Sequence, residues 1–184
     1  NIQQIIDETD RMTMLVNDLL DISRIQAGMI ELNPSHFNIT ESIRNVLERY
    51  NKLCMVGGYH IDFVYDEEVF VLADEQKIFQ VIYNLVSNAI NYTGDDKLVT
   101  VSQIVKNDIL RIEVKDTGRG VSQEDIPYIW DRYYKDKKNH KRAIQGTGLG
   151  LSIVKNILEM HNAHYGVFSK SEQGATFWFE LKLS

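Results

Sequence analysis

Residues 84–92 read N-L-V-S-N-A-I-N-Y, inside a long segment whose apolar residues recur with helical period. The asparagines at 84, 88 and 91 are spaced four and three apart, which places their amides on one side of an α-helix. Asparagine forms helices poorly, so a stripe of three needs an account beyond propensity. A polar, solvated helix face is one account, and for such a helix alone it is the preferable one. The other is chemical. An amide is neutral and offers a carbonyl oxygen to a hard cation, so an amide stripe can hold Mg²⁺ and line phosphates without repelling them. The flanking segments decide between the two.

Upstream, Asp74 is placed to cap this helix, whose core stripe is Ile78, Val81, Ile82, Leu85, Val86 and Ala89. His60 to Tyr65 and Val69 to Leu72 are strand-like, and a hairpin across Asp66-Glu67-Glu68 is expected. Asn38 and Glu41 have capping-box spacing ahead of a helix carrying Ile43, Val46, Leu47 and Tyr50, which Gly57-Gly58 breaks. Met29 to Leu32 reads as a short strand ended by Pro34. Before it, Ile2, Ile5, Thr9, Met12, Val16, Leu19 and Ser23 form a heptad-like seam. Ile6, Leu15, Leu20 and Ile22 widen the apolar face. Pattern alone fits a bundle of several helices and a helix docked on its own domain equally well. Gly28 is a C-cap candidate. The chain opens at Asn1 directly in this helical pattern, as expected of a piece of a longer protein.

Downstream, strands at Leu98 to Val105 and Ile109 to Val114 are joined through Asn107-Asp108, and the second runs into Asp116-Thr117-Gly118-Arg119-Gly120-Val121. Ser122 to Asp125 is a capping-box variant expected to open a short helix through Trp130. Lys135 to Gln145 is a basic loop with almost no apolar content. Gly146-Thr147-Gly148-Leu149-Gly150-Leu151 starts the last helix, Ser152 to His161, and Tyr165 to Phe168 and Thr176 to Leu183 close the chain as a strand pair. Strands interleaved with helices in this order predict an α/β fold: a two-layer sandwich with a mixed sheet and helices on one face.

Composition narrows the functions open to it. At 184 residues and 43% hydrophobic, the chain can bury a proper core as one domain with an appendage. A net charge of −6 leaves no global basic field for nucleic acid. The single cysteine, Cys54, excludes an internal disulfide and reads as inert core. No run is long or apolar enough to span a bilayer, and no signal peptide opens the sequence.

Glycines two apart at a helix start let backbone N–H groups approach an anion closely, and the helix dipole favours negative charge there. Gly146, Gly148 and Gly150 have that spacing, although hinges and tight turns use glycine too. No G-x-x-x-x-G-K-[ST] occurs, Leu151 breaks the G-x-G-x-x-G pattern, and the H-R-D and D-F-G motifs are missing. Asp116 ends a strand ahead of Gly118 and Gly120, so a carboxylate could accept from an exocyclic amine such as adenine N6 while the glycines clear space for a flat ring. An Asp-Gly turn is the plain structural alternative. Asp-Thr-Gly is also the aspartic-protease triplet, but that chemistry leaves the asparagines, the basic loop and the later glycines unexplained.

Taken in order, the N-x-x-x-N helix, the D-x-G-x-G after a strand, the basic loop and the G-x-G-x-G-L at a helix start resemble the ATP-binding domain of sensor histidine kinases, in the superfamily shared with gyrase, Hsp90 and MutL. Asn84 to Tyr92 is similar to the N box, Asp116 to Val121 to the first glycine box, Trp130 to Lys135 to the F box, and Gly146 to Leu151 to the second glycine box. Gly174-Ala175-Thr176-Phe177 resembles the terminal G-x-T-F segment, and Asp18 to Gly28 the end of the second dimerisation helix. The resemblance implies a Bergerat-type fold preceded by a long N-terminal helix, with residues 1–28 from the dimerisation domain and 29–184 the catalytic domain. It implies ATP or ADP as ligand, with Mg²⁺ on Asn88 and Asn84 and Asn91 beside it. Asp116 would read adenine N6 with Thr176 supporting it through water, and Tyr92 would lie near the ring, in the space left by Gly118 and Gly120. Tyr134, Lys135 and the basic loop would cover the phosphates, with the backbone of Gly146, Thr147, Gly148, Leu149 and Gly150 behind them. It further implies a homodimeric, membrane-anchored whole protein whose cytoplasmic portion this is, a response-regulator receiver domain as partner, and no nucleic acid.

Departures from the family pattern keep every indispensable group. Asn91 stands where lysine is frequent, Lys135 replaces a common arginine, and Trp130 replaces phenylalanine. Asn162-Ala163 replaces a glycine pair, where asparagine can still adopt the left-handed conformation. The superfamily's ATPases carry a glutamate at position 84 as general base, a role an amide cannot fill, so transfer is expected over hydrolysis. His36, His60, His140, His161 and His164 are each outside an H-[ED]-x-x-[TN]-P context, so the phosphoacceptor is not in this sequence. A serine kinase of the anti-sigma-factor type and a non-catalytic nucleotide-sensing module are the rival readings.

Overall fold

The computed structural model describes residues 2–132 and 149–184. Helix α1 (Ile2–Gln26) leads into strand β1 (Ser35–Asn38), helices α2 (Ile39–Glu48) and α3 (Asn51–Gly57), and strands β2 (His60–Val64) and β3 (Phe70–Ala73). Helix α4 (Glu75–Tyr92), strands β4 (Leu98–Lys106) and β5 (Ile109–Asp116), helix α5 (Gly150–Met160), and strands β6 (Tyr165–Ser169) and β7 (Ala175–Lys182) follow. Five strands form one mixed sheet in the order β2-β4-β5-β7-β6, in which only β2 and β4 run parallel, and β1 and β3 form a separate two-stranded ribbon. Alternation along the strands sends Val99, Val101, Leu110, Ile112, Val114, Phe177 and Phe179 to one face, where they are buried with Ile78, Ile82, Leu85 and Val86 of α4 and Ile153 and Ile157 of α5. The result is the expected two-layer α/β sandwich.

Local chemistry sets the boundaries. Asn38 caps α2 by accepting from the Glu41 N–H at 3.0 Å, and Asp74 caps α4 by accepting from Lys77 N–H at 3.2 Å. Asn107 and Asp108 both take positive φ (52° and 59°), as a two-residue hairpin between β4 and β5 requires. Gly28 (φ 65°) and Asn162 (φ 52°) end their helices in the left-handed region. Tyr50, in the junction between α2 and α3, stacks on Tyr83 and donates its hydroxyl to the Tyr83 carbonyl at 3.0 Å, holding α4 from behind.

Three sequence expectations give way. His60 to Val64 and Phe70 to Ala73 do not form a hairpin; β2 joins the main sheet while β3 pairs with β1. A buried polar network separates them: Val69 N–H donates to Thr40 Oγ1, which donates to Gln103 Oε1, while Gln103 Nε2 donates to the Glu67 carbonyl. Met29 to Leu32 is not a strand. Met29 is 77% exposed, the Asn33 N–H is taken by Asp74 Oδ2 at 3.0 Å, and regular pairing begins only after Pro34. The segment after Ser122 is a run of turns rather than a helix. Ser122 does cap it, but bonds pass from Asp125 to Ser122 and from Tyr128 to Asp125, around Pro127, which has no N–H to offer.

The N-terminal helix docks on its own domain over its C-terminal half. Ile22 is fully buried, Leu15 packs on the core and Gln80 Nε2 reaches Asp21 at 3.3 Å. Ile2, Ile5, Met12 and Val16 stay exposed. Cys54 is half-buried against the core.

Asp74 is the hub of this packing, because one carboxylate satisfies both the start of α4 and the segment leaving α1. Asp74→Ala should lower unfolding free energy by about 1–2 kcal/mol. Urea denaturation of variant and parent, with unchanged m-values, checks this.

Candidate functional site

Four of the predicted groups converge where α4, α5 and the end of β5 meet. Asp116 is the last residue of β5 and points to the helix-bearing side, where it is 2% exposed. Its Oδ1 accepts from the Gly118 N–H at 2.9 Å, and the Ala175 N–H also donates to the carboxylate. Burial, the larger effect, pushes its pKa up to about 6 against these two donors. No cation neutralises it among the described residues, so the carboxylate keeps unmet acceptor capacity in a dry corner.

Gly118 is required sterically. A Cβ there would lie 1.8 Å from the Tyr92 carbonyl oxygen and 3.1 Å from Asp116 Oδ1. The end of the asparagine helix and the glycine loop are therefore in direct backbone contact. Gly120 (φ 72°) sits where a Cβ would meet Ser169 Oγ and the Lys170 carbonyl at 2.6 Å. On the far side of α4, a Cβ on Gly150 would come 3.4 Å from Asn84 Oδ1, so Asn84 faces the first turn of α5. Asn84, Asn88, Asn91 and Tyr92 are all half-buried on the flank predicted for them. The Asn84 and Asn88 amides make no hydrogen bonds among the described residues, and no cluster of His, Cys, Asp or Glu there could hold a metal. A hard cation at this flank would thus be met by neutral amide oxygen. Trp130 packs edge-on to Tyr165 and Phe177 and ties the segment before the basic loop to the core.

Leu149 contributes differently from the glycines around it: its side chain is fully buried in the core, and only its backbone can face a ligand. One assignment is corrected. Thr176 pairs with Lys115, so their side chains share the face of the sheet away from the helices. Thr176 cannot support Asp116 from there. The neighbour on the carboxylate's side is Ala175, acting through its backbone N–H. Strand parity could have shown this, since pairing β7 against β5 fixes which residues share a side. Ser169 was also missed: its hydroxyl accepts from Val121 N–H at 2.7 Å and donates to the Gly174 carbonyl at 3.0 Å, closing the glycine loop onto the turn between β6 and β7. Tyr134, Lys135, His140, Gly146, Thr147, Gly148 and the rest of the basic loop lie outside the described residues.

Residues 73–184 match the family described as histidine kinase-, DNA gyrase B-, and HSP90-like ATPase. The chain belongs to this family. It is 33% identical over 180 residues to the sensor histidine kinase WalK of Bacillus subtilis (strain 168), across 95% of this chain and 29% of WalK. It thus spans less than a third of that relative's length. Full-length ShkA in complex with AMPPNP superposes with a TM-score of 0.82 at 28% identity, over 96% of this chain and 37% of that one. Histidine kinase ThkA in complex with the response regulator protein TrrA gives 0.77 at 26% identity, over 100% and 50%. The family's characteristic segment begins at the cap of α4, so Asn84, Asp116 and Gly150 all fall inside it.

A carboxylate whose pKa rises on folding stabilises the fold below its unfolded value and costs stability above its folded one. Between pH 4 and pH 6 the native state holds the extra proton, so stability should fall as pH rises through that window, by about 2–3 kcal/mol. Asp116→Asn should flatten this slope and be the more stable protein at pH 8. Thermal melts of both proteins across pH 4–8 measure it.

Proposed function

We propose that this chain is the ATP-binding catalytic part of a sensor histidine kinase, in which residues 1–28 are the second helix of the dimerisation domain and 29–184 the catalytic domain. The observation that carries the reading is the Asp116 carboxylate, buried without a counter-charge among the described residues and held one backbone contact away from the asparagine helix. An exocyclic amine with an adjacent ring nitrogen matches such an acceptor beside a glycine-cleared space; adenine has both. The AMPPNP bound to ShkA and the receiver partner of ThkA support adenine nucleotide and response regulator as ligand and partner.

In this reading Asn88, with Asn84 beside it, would give amide oxygen to a Mg²⁺, and the first turn of α5 would give backbone N–H groups to phosphate oxygens. The ion, when bound, neutralises charge on the transferring phosphoryl group. Position 84 carries no proton acceptor, so the site holds the donor for a nucleophile brought from outside, a histidine on the other dimerisation helix. The phosphoryl group then passes to a regulator aspartate. The whole protein works as a homodimer anchored to a membrane, with this portion in the cytoplasm; none of the described helices is long and apolar enough to cross a bilayer.

Titration with a fluorescent ATP analogue tests the reading: binding with Mg²⁺, and loss of at least about tenfold in affinity for Asp116→Ala. Unchanged affinity in that variant removes the assignment. Asn88→Ala should weaken Mg-dependent binding while leaving the much weaker Mg-free binding unaltered. Incubated alone with ATP, the fragment should form no acid-labile phosphate; supplied with the histidine-bearing helix, it should. Label on serine would identify an anti-sigma-type kinase instead, and no label a nucleotide-sensing module.

A further inference from the structure

The threonine of the Asp-Thr-Gly triplet takes no part in the site as described. Its side chain turns away from the Asp116 carboxylate toward residues 93–98, the segment leaving α4. Thr117 Oγ1 donates to Asp96 Oδ1 and accepts from the Gly94 N–H at 3.3 Å. The Thr93 hydroxyl lies 3.1 Å from it, donates to the Leu98 carbonyl, and receives the Thr117 N–H at 3.4 Å. Asp96 Oδ1 also accepts from the Leu98 N–H at 3.1 Å. The Thr117 hydroxyl bond and the Leu98 N–H hold the Asp96 carboxyl below the usual carboxylate range, as expected of an acceptor that is used in its charged form. Gly94 allows the approach, because a Cβ there would stand 2.6 Å from the Thr117 carbonyl.

These bonds join the ends of two elements, α4 and β5, that pack on each other through the core and come into backbone contact where Gly118 meets the Tyr92 carbonyl. One piece ends in Asp116, at the base end of the site; the other is the helix bearing Asn84, Asn88 and Asn91, at the phosphate end. Thr117 is the single residue that follows the carboxylate and bonds to the segment following the amides.

We propose that Thr117 and Asp96 form a latch that fixes the spacing between the base-reading carboxylate and the amide helix, so that one ligand engages both ends in a single pose. Thr117 is thus a positioning residue for nucleotide binding; it touches no ligand itself. The inference rests on the nucleotide reading above. Its physical content is additivity: contacts at two ends of a ligand add only when their separation matches the ligand before it arrives.

The experiment compares ADP with adenosine, which engages only the base end. Affinities are measured by calorimetry for Mg·ADP and by amide chemical-shift titration for adenosine, on parent, Thr117→Val, Thr117→Ser and Asp96→Ala. Thr117→Val keeps the shape and removes the hydroxyl. It should weaken Mg·ADP by about tenfold and adenosine by less than about threefold. Thr117→Ser, which retains the hydroxyl, should restore Mg·ADP to within about threefold of parent. Asp96→Ala, at an exposed position, removes the acceptor of the latch and should reproduce the direction of the Thr117→Val effect. Equal losses for both ligands, an unaltered Mg·ADP affinity in Thr117→Val and Asp96→Ala, or failure of serine to rescue would overturn the latch. Parent protein that binds neither ligand would refute the nucleotide reading itself, so the two failures are separable.

Discussion

The arrangement depends on one costly act of folding, the burial of the Asp116 carboxylate with two backbone N–H donors and no cation among the described residues. An ionised carboxylate in such a place costs stability unless its acceptor capacity is met. A domain keeps such a group when a ligand supplies the missing donor, which is the usual trade between stability and binding. Much of the neighbouring chain then follows from bringing backbone up to that carboxylate. Gly118 must lack a side chain because the Tyr92 carbonyl occupies its place, and a Cβ on Gly174 would lie 2.1 Å from the Asp116 carbonyl.

The two-layer fold supplies the rest of the geometry. The sheet delivers Asp116 at the end of β5, and α4 lies across β4 and β5 with its amide flank beside that end. Helix α5 packs against α4 so that its first turn faces Asn84. In the proposed nucleotide site the base end and the phosphate end are carried by different elements, whose ends the hydroxyl network around Thr117 joins in addition to their core packing.

Much of this was legible in the sequence. The asparagine stripe breaks a local rule of propensity and lies at the candidate site, while the capping aspartate at 74 and the glycines after Asp116 follow the rules for caps and turns and organise it. The long strands Leu98–Lys106 and Ile109–Asp116 were read from alternation, and the turn between them from Asn-Asp. What failed depended on contacts distant in sequence. Nothing local says that Val69 will be held by Thr40 and Gln103 rather than facing β2 across a hairpin. Helix signals after Ser122 were real, but a proline removed the donor needed to continue them. Thr176 was misassigned because motif resemblance ignores strand parity, and the register puts it beside Lys115. Thr117 was read only as part of a rival triplet, since its partners lie in another loop.

The central claim is that the Asp116 carboxylate is an acceptor awaiting an adenine amine. Carbon-detected NMR titration of the Asp116 side-chain carboxyl, with and without saturating Mg·ADP, measures it directly. Without ligand the group should titrate near pH 6. With ligand, donation from the base to the charged form should lower that value by about a unit or more. A titration midpoint unmoved by Mg·ADP that is otherwise shown to be bound would contradict the account.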